Sequence, residues 1–187
     1  MYDPQRYNRN TLFTDDLLYH YMLESDLQEI KALCLTDRNA AKLCNSPSFW
    51  TKKMIYDNLP IYQQHNNMVE YQRVMDAVIK ADQVNKINLM KNIINFDLTD
   101  EDLMLLFNEI QLDHFSEGFA HYDSNLYRKQ RLSMGNDNGS LWLTINVFKR
   151  NHATNLFYLT INKQEMHQIL IHLFYYYPNV TYTLFKF

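Results

Sequence analysis

Leu141-Trp-Leu-Thr-Ile-Asn-Val-Phe148 decides the fold class, because its apolar residues recur at every second position and it is rich in β-formers. A helix would spread that pattern around its circumference, whereas a strand gathers it on one side. Just before it stands Gly135-Asn-Asp-Asn-Gly139, a strong turn signal, and before that Tyr127–Met134 reads as a weaker strand. After it, the turn-like run KRNHAT leads into Asn155–Ile161, a further strand by the same alternation. Lys163–Tyr176 switches to helical spacing, with Met166, Ile169, Leu170 and Leu173 facing inward, and Val180–Phe187 closes as a strand. The order β-β-β-α-β predicts an antiparallel sheet with a helix on one face, so the chain belongs to the α+β class.

Upstream the chain is helical in character. Thr99-Asp-Glu-Asp102 is a capping signature that opens a helix through Ile110. The stretch 67–94 carries an amphipathic stripe at Val74, Val78 and Ala81 with Met75 and Ile79. Nearer the start, short helices have clear beginnings. Thr14 can cap the first, with Asp15 and Asp16 in its first turn. Ser25 with Gln28 forms a capping box for the second, Thr36 can cap the third, and Ser46-Pro47 places a proline at the first helical position of the fourth, which Pro60 ends. Helices of two or three turns are unstable alone, so their apolar faces must pack on one another or on a partner. This divides the chain into a polar arm (1–11), a short-helix module (12–62), a helical connecting region (63–112) and a C-terminal α+β domain (113–187).

The chain of 187 residues is 47% hydrophobic and 14% aromatic, which supports real cores and argues against disorder. Its formal net charge of -3 gives no basic excess to draw it onto nucleic acid or an anionic membrane. The start MYDPQRYNRN is polar and lacks the apolar stretch of a signal peptide, which points to an intracellular protein. The two cysteines, Cys34 and Cys44, sit among apolar residues at helical spacing and read as small core residues in a reducing compartment; a disulfide between them stays open.

Three segments carry a resemblance: DDLLYHYML, SDLQEIKALCLTDRNAAKLC and SPSFWTKKMIYDNLP. Together, from Leu12 to Pro60, they resemble the F-box family, and most closely the F-box-like proteins of large DNA viruses. An apolar pair on the first helix, a following Asp-Leu, a Leu-Cys, a second Cys and a terminal Phe-Trp all stand here. The family's usual Leu-Pro is replaced by Leu12-Phe13, and the link between the first two helices is shorter. The resemblance implies a protein-interaction adaptor without enzymatic activity. It would dock a Skp-type adaptor of a cullin–RING ubiquitin ligase and capture a target protein with its C-terminal domain, in the host cytoplasm or nucleus if the chain is viral. Leu12, Leu17, Leu18, Met22, Leu27 and Ile30 would then supply the docking contacts, while Cys34, Leu43, Cys44, Phe49 and Trp50 would hold the module together. For every one of these residues the alternative is plain core packing, which would leave a stand-alone binder of protein or nucleic acid with purely structural helices.

Catalytic chemistry is hard to find in the sequence. His167 and His172 are five residues apart, which does not bring both onto one metal-facing turn. His114 and His121, near Asp113 and Asp123, read as solvated surface more readily than as a metal or acid–base site. No Gly-rich phosphate loop, no Gly-x-Ser-x-Gly and no Cys–His signature stands in the chain, and no cofactor is expected. One basic patch does stand out: Arg128, Lys129 and Arg131, with Lys149 and Arg150 at the neighbouring hairpin tip. Interleaved with aromatics it suits an acidic peptide or nucleic acid. Edge strands also carry such residues to block aggregation.

Overall fold

Residues 15–99, 129–149 and 152–186 are described by the computed structural model. The first helices are α1 (Asp15–Glu24), α2 (Leu27–Thr36), α3 (Arg38–Cys44) and α4 (Pro47–Tyr56), followed by the longer α5 (Met68–Asn85). Then come β1 (Asn92–Leu98), β2 (Lys129–Asp137), β3 (Ser140–Lys149), β4 (His152–Ile161), α6 (Lys163–Tyr176) and β5 (Tyr182–Lys186). The chain divides into two units, Met1–Val74 and Met75–Phe187, and the division falls inside α5. None of the described helices is long and apolar enough to cross a membrane.

In the first unit α2 and α3 start one residue later than the capping signals suggested. Asp26, not Ser25, caps α2: its carboxylate accepts the Gln28 and Glu29 amides at 2.8 and 2.9 Å, and Glu29 accepts the Asp26 amide at 3.2 Å. Asp37, not Thr36, caps α3, taking the Asn39 and Ala40 amides at 2.8 Å each. The Thr36 hydroxyl bonds back to the Ala32 carbonyl instead. Where Ser or Thr adjoins Asp, the carboxylate wins because a charged acceptor serves two amides at the positive end of a helix. Ser46-Pro47 does begin α4, although the Ser46 hydroxyl faces that of Ser48 at 2.8 Å instead of the helix amides. The helix stops at Tyr56, ahead of Pro60, with Asn58 in the left-handed region at φ 55°. The proposed cap Thr14 lies outside the described residues.

The core of this unit gathers Leu18 and Met22 of α1, Ile30 of α2, and Phe49, Trp50 and Met54 of α4. Each apolar side chain so buried contributes about 1.5–3 kcal/mol. Trp50 sits at the centre, its ring 5.4 Å from that of Tyr71, and its Nε1 donates to the Cys44 carbonyl at 2.8 Å. That bond satisfies the one polar atom of an otherwise apolar side chain.

The second unit is a five-stranded antiparallel sheet in the order β4-β3-β2-β1-β5, with α6 packed on one face. The α+β class therefore holds, and α6 has the bounds read from its periodicity. Asn162 and Glu165 form its capping box. The strand β1 is a correction. Within the described part of the helical connecting region expected over 63–112, α5 ends at Asn85, and Asn92–Leu98 is an inner strand pairing with both β2 and β5. Ile94, Phe96 and Leu98 are buried and alternate with Asn95 and exposed Asp97, so the sheet begins well before residue 113. The helix expected over 99–110 lies outside the described residues.

The β2–β3 turn is also tighter than expected. Only Asn138 (φ 50°) and Gly139 (φ 93°) leave the ladder, the two positive angles that a tight hairpin turn requires. Gly135 stays in the strand opposite Trp142, and a Cβ there would overlap the indole ring. On the α6 face, Ile94, Phe96, Leu132, Met134, Leu143 and Ile145 form the core, with the Phe96 and Phe174 rings 6.0 Å apart edge to face. On the opposite face, Ser133 donates to Asn95 at 2.5 Å, and Trp142 stacks on Tyr158 at 6.3 Å.

Candidate functional site

On α1, residues one turn apart share a face, and a single step rotates a side chain by about 100°. Leu18 and Met22 take the inward face and are buried. Leu17 and Tyr21 take the adjacent one, at 53% and 44% exposure. The expected docking set is thus divided between the core and the surface. Leu18, Met22 and Ile30 are core residues that no partner reaches without unfolding the unit. Leu27 is half-buried, Leu12 lies outside the described residues, and Leu17 alone is open. Other apolar side chains stand exposed on the same unit: Leu35 on α2, Ile55 and Tyr56 on α4, and Val69 on α5.

Cys34 and Cys44 are bonded to each other, their Cα atoms 6.2 Å apart, and they tie α2 to α3. Both are half-buried, which departs from the reading as two reduced core residues. With Ala41, Asn45 and 67–69 they line an open groove of about 360 Å³.

A polar cluster that the sequence reading missed fastens α4 to α1. Lys53, 3% exposed, donates to the Leu23 carbonyl at 2.7 Å and to Asp57 at 3.0 Å. Asp57 in turn accepts the Tyr71 hydroxyl at 2.6 Å. Burial, reinforced by the bond to Asp57 and by its negative charge, pushes the Tyr71 phenol well above its ordinary value. The four-residue spacing between Lys53 of α4 and Asp57, the residue just past its end, was the available signal. This cluster cross-links α1, α4 and Tyr71 of α5.

The basic patch fares differently. Arg128 and Arg150 lie outside the described residues, and Lys129 and Lys149 are placed by their backbone register alone, opposite Phe148 and His152. Arg131 pairs across the β1–β2 ladder with Asp97, Nε to Oδ1 at 2.8 Å, so its charge is locally compensated. His114, His121, Asp113 and Asp123 are outside the described residues. His167 meets Asp82 of α5 at 2.9 Å, off the line of a well-directed hydrogen bond, and His172 stacks on Tyr176. Among the described residues, no three His, Cys, Asp or Glu side chains are grouped to hold a metal ion.

No family model matches the chain, and no match is found among curated proteins or solved structures.

Proposed function

We propose that the chain is an interaction protein, not an enzyme: an adaptor whose helical unit docks one protein while its α+β unit captures another. Following the F-box resemblance, the first partner is a Skp-type adaptor of a cullin–RING ubiquitin ligase. The observation that supports this reading is an apolar surplus. The helical unit closes its own core around Trp50 and still leaves Leu17, Tyr21, Leu35, Ile55, Tyr56 and Val69 on its surface. Exposed apolar side chains in such number on a small unit suit protein docking.

The test is co-elution of the full chain with the purified Skp-type adaptor. Leu17→Asp should abolish the complex and leave the melting curve unchanged. Met22→Asp should instead lower the melting temperature, because it places a charge in the core. Failure of the intact chain to form any complex removes the adaptor reading.

The burial of Leu18, Met22 and Ile30 favours a second reading, in which the helices are purely structural and the chain is a stand-alone binder of protein or nucleic acid. A salt-dependent shift on single-stranded nucleic acid, lost when Arg128 and Arg131 are both changed to Ala, would specify it.

A further inference from the structure

We infer that the free edge of β5 is a self-association surface, through which two copies of this chain join their sheets antiparallel about a two-fold axis at Leu184. β5 is last in the sheet order and, among the described residues, pairs with β1 on one side alone. All five of its residues are exposed, including Tyr182, Leu184 (47%) and Phe185 (50%). The register Phe96↔Tyr182 and Ile94↔Leu184 places Tyr182 and Leu184 on the face whose inner-strand members are buried under α6. The apolar face of the sheet thus continues past the last strand that is covered.

Natural edges are blunted by proline, by bulges or by charges pointing into the edge. β4, at the opposite edge, carries an irregularity against Ile145/Asn146. β5 pairs with β1 without a break in register, and Lys186 at its end is its single charge.

The sequence of β5 is compatible with itself in one arrangement. A two-fold at Leu184 sets Leu184 against Leu184, Thr183 against Phe185, and Tyr182 against Lys186 of the second copy. The last pair offers an ammonium to a ring. The two Lys186 side chains then stand roughly 13 Å apart along the strands, beyond a Debye length of about 10 Å. A parallel in-register pairing would instead set lysine on lysine. One short edge buries less than the ~800 Å² per partner of a standard interface, so the dimer should be weak and dependent on concentration.

Sedimentation velocity of the full chain from about 1 to about 500 µM tests this, the range in which so small an interface would form. The expected result is a monomer–dimer equilibrium. Leu184→Lys and Leu184→Glu each set like charges directly opposite one another and should each be monomeric. An equimolar mixture of the two should restore a 1:1 dimer. Tyr158→Lys, at the other edge, should leave the equilibrium unchanged. In the unaltered chain, amides 182–186 should exchange more slowly in the concentrated sample, a readout that needs no variant. A wild-type monomer throughout, a dimer that survives both Leu184 variants, a mixture that stays monomeric, or unchanged exchange across β5 would each overturn the inference. A dimer weakened by Tyr158→Lys would move the interface to β4 and overturn it likewise.

Discussion

The Lys53 ammonium donates to the Leu23 carbonyl at 2.7 Å, so a side chain from the middle of α4 closes the C-terminal end of α1. The same ammonium holds Asp57, which holds the Tyr71 hydroxyl. A buried cation in this position is tolerable because hydrogen bonds to a carbonyl and a carboxylate replace its hydration. Lys53→Met keeps the stem and removes the charge. It should destabilise the first unit by about 2–4 kcal/mol, since it leaves the Leu23 carbonyl without this donor and Asp57 without its cation. Urea unfolding followed by tryptophan fluorescence would measure this, and Lys53→Met combined with Asp57→Asn should cost less than the two changes summed.

Tyr71 extends the same cluster into pH dependence. Its phenol titrates higher in the folded protein than in the unfolded chain, so the unfolded state gives up that proton first. The stability it contributes is complete below the ordinary value of 10.0 and declines as pH rises above it. Alkaline unfolding should therefore be steeper in the wild type than in Tyr71→Phe. In an ultraviolet titration of the folded protein, Tyr71→Phe should leave the early phenolate rise unchanged. If the early rise shrinks, Tyr71 ionises as an ordinary tyrosine and its bond to Asp57 is weak in solution.

How much of this was readable in advance varies by element, for physical reasons. α6 could be bounded to the residue because its 3.6-residue stripe is fenced by Asn162 and by the loss of pattern after Tyr176. β3 was readable because period two is unambiguous over Ser140–Lys149. β1 escaped because Ile93-Ile94 continues the stripe of α5 as well as it begins a strand, and short apolar runs fit both periods. The inward face of α1 was not readable because Leu17 and Leu18 are adjacent and equally apolar; which of them turns inward is decided by tertiary packing, a non-local fact. The disulfide was open because a spacing of ten residues says nothing about distance across a helix–turn–helix.

The Cys34–Cys44 bond closes a short loop that joins α2 and α3. In the chain-entropy account, a bond closing a loop of this length stabilises by about 2–3 kcal/mol. Dithiothreitol should lower the urea midpoint of the first unit accordingly and leave a Cys34→Ser/Cys44→Ser variant unaffected. Thiol titration in denaturant should find none before reduction and two afterwards. Two reactive thiols before reduction would show the pair to be free in solution.

Gly135 and Trp142 face one another across β2 and β3, and the indole occupies the space a side chain at 135 would need. Gly135→Ala should displace the ring, disturb its stack on Tyr158, and destabilise the sheet by about 1–3 kcal/mol, the range for overpacking. Gly139 offers the contrast: nothing lies near its absent Cβ, yet its φ of 93° is unfavourable for any other residue. Gly139→Ala should therefore cost about 1 kcal/mol through the backbone alone, with tryptophan emission unaltered. Combining Gly135→Ala with Trp142→Ala should restore part of the loss, because the clash is gone. Combining Gly139→Ala with Trp142→Ala should simply add. Equal additivity in both pairs would show that the indole does not lie over Gly135.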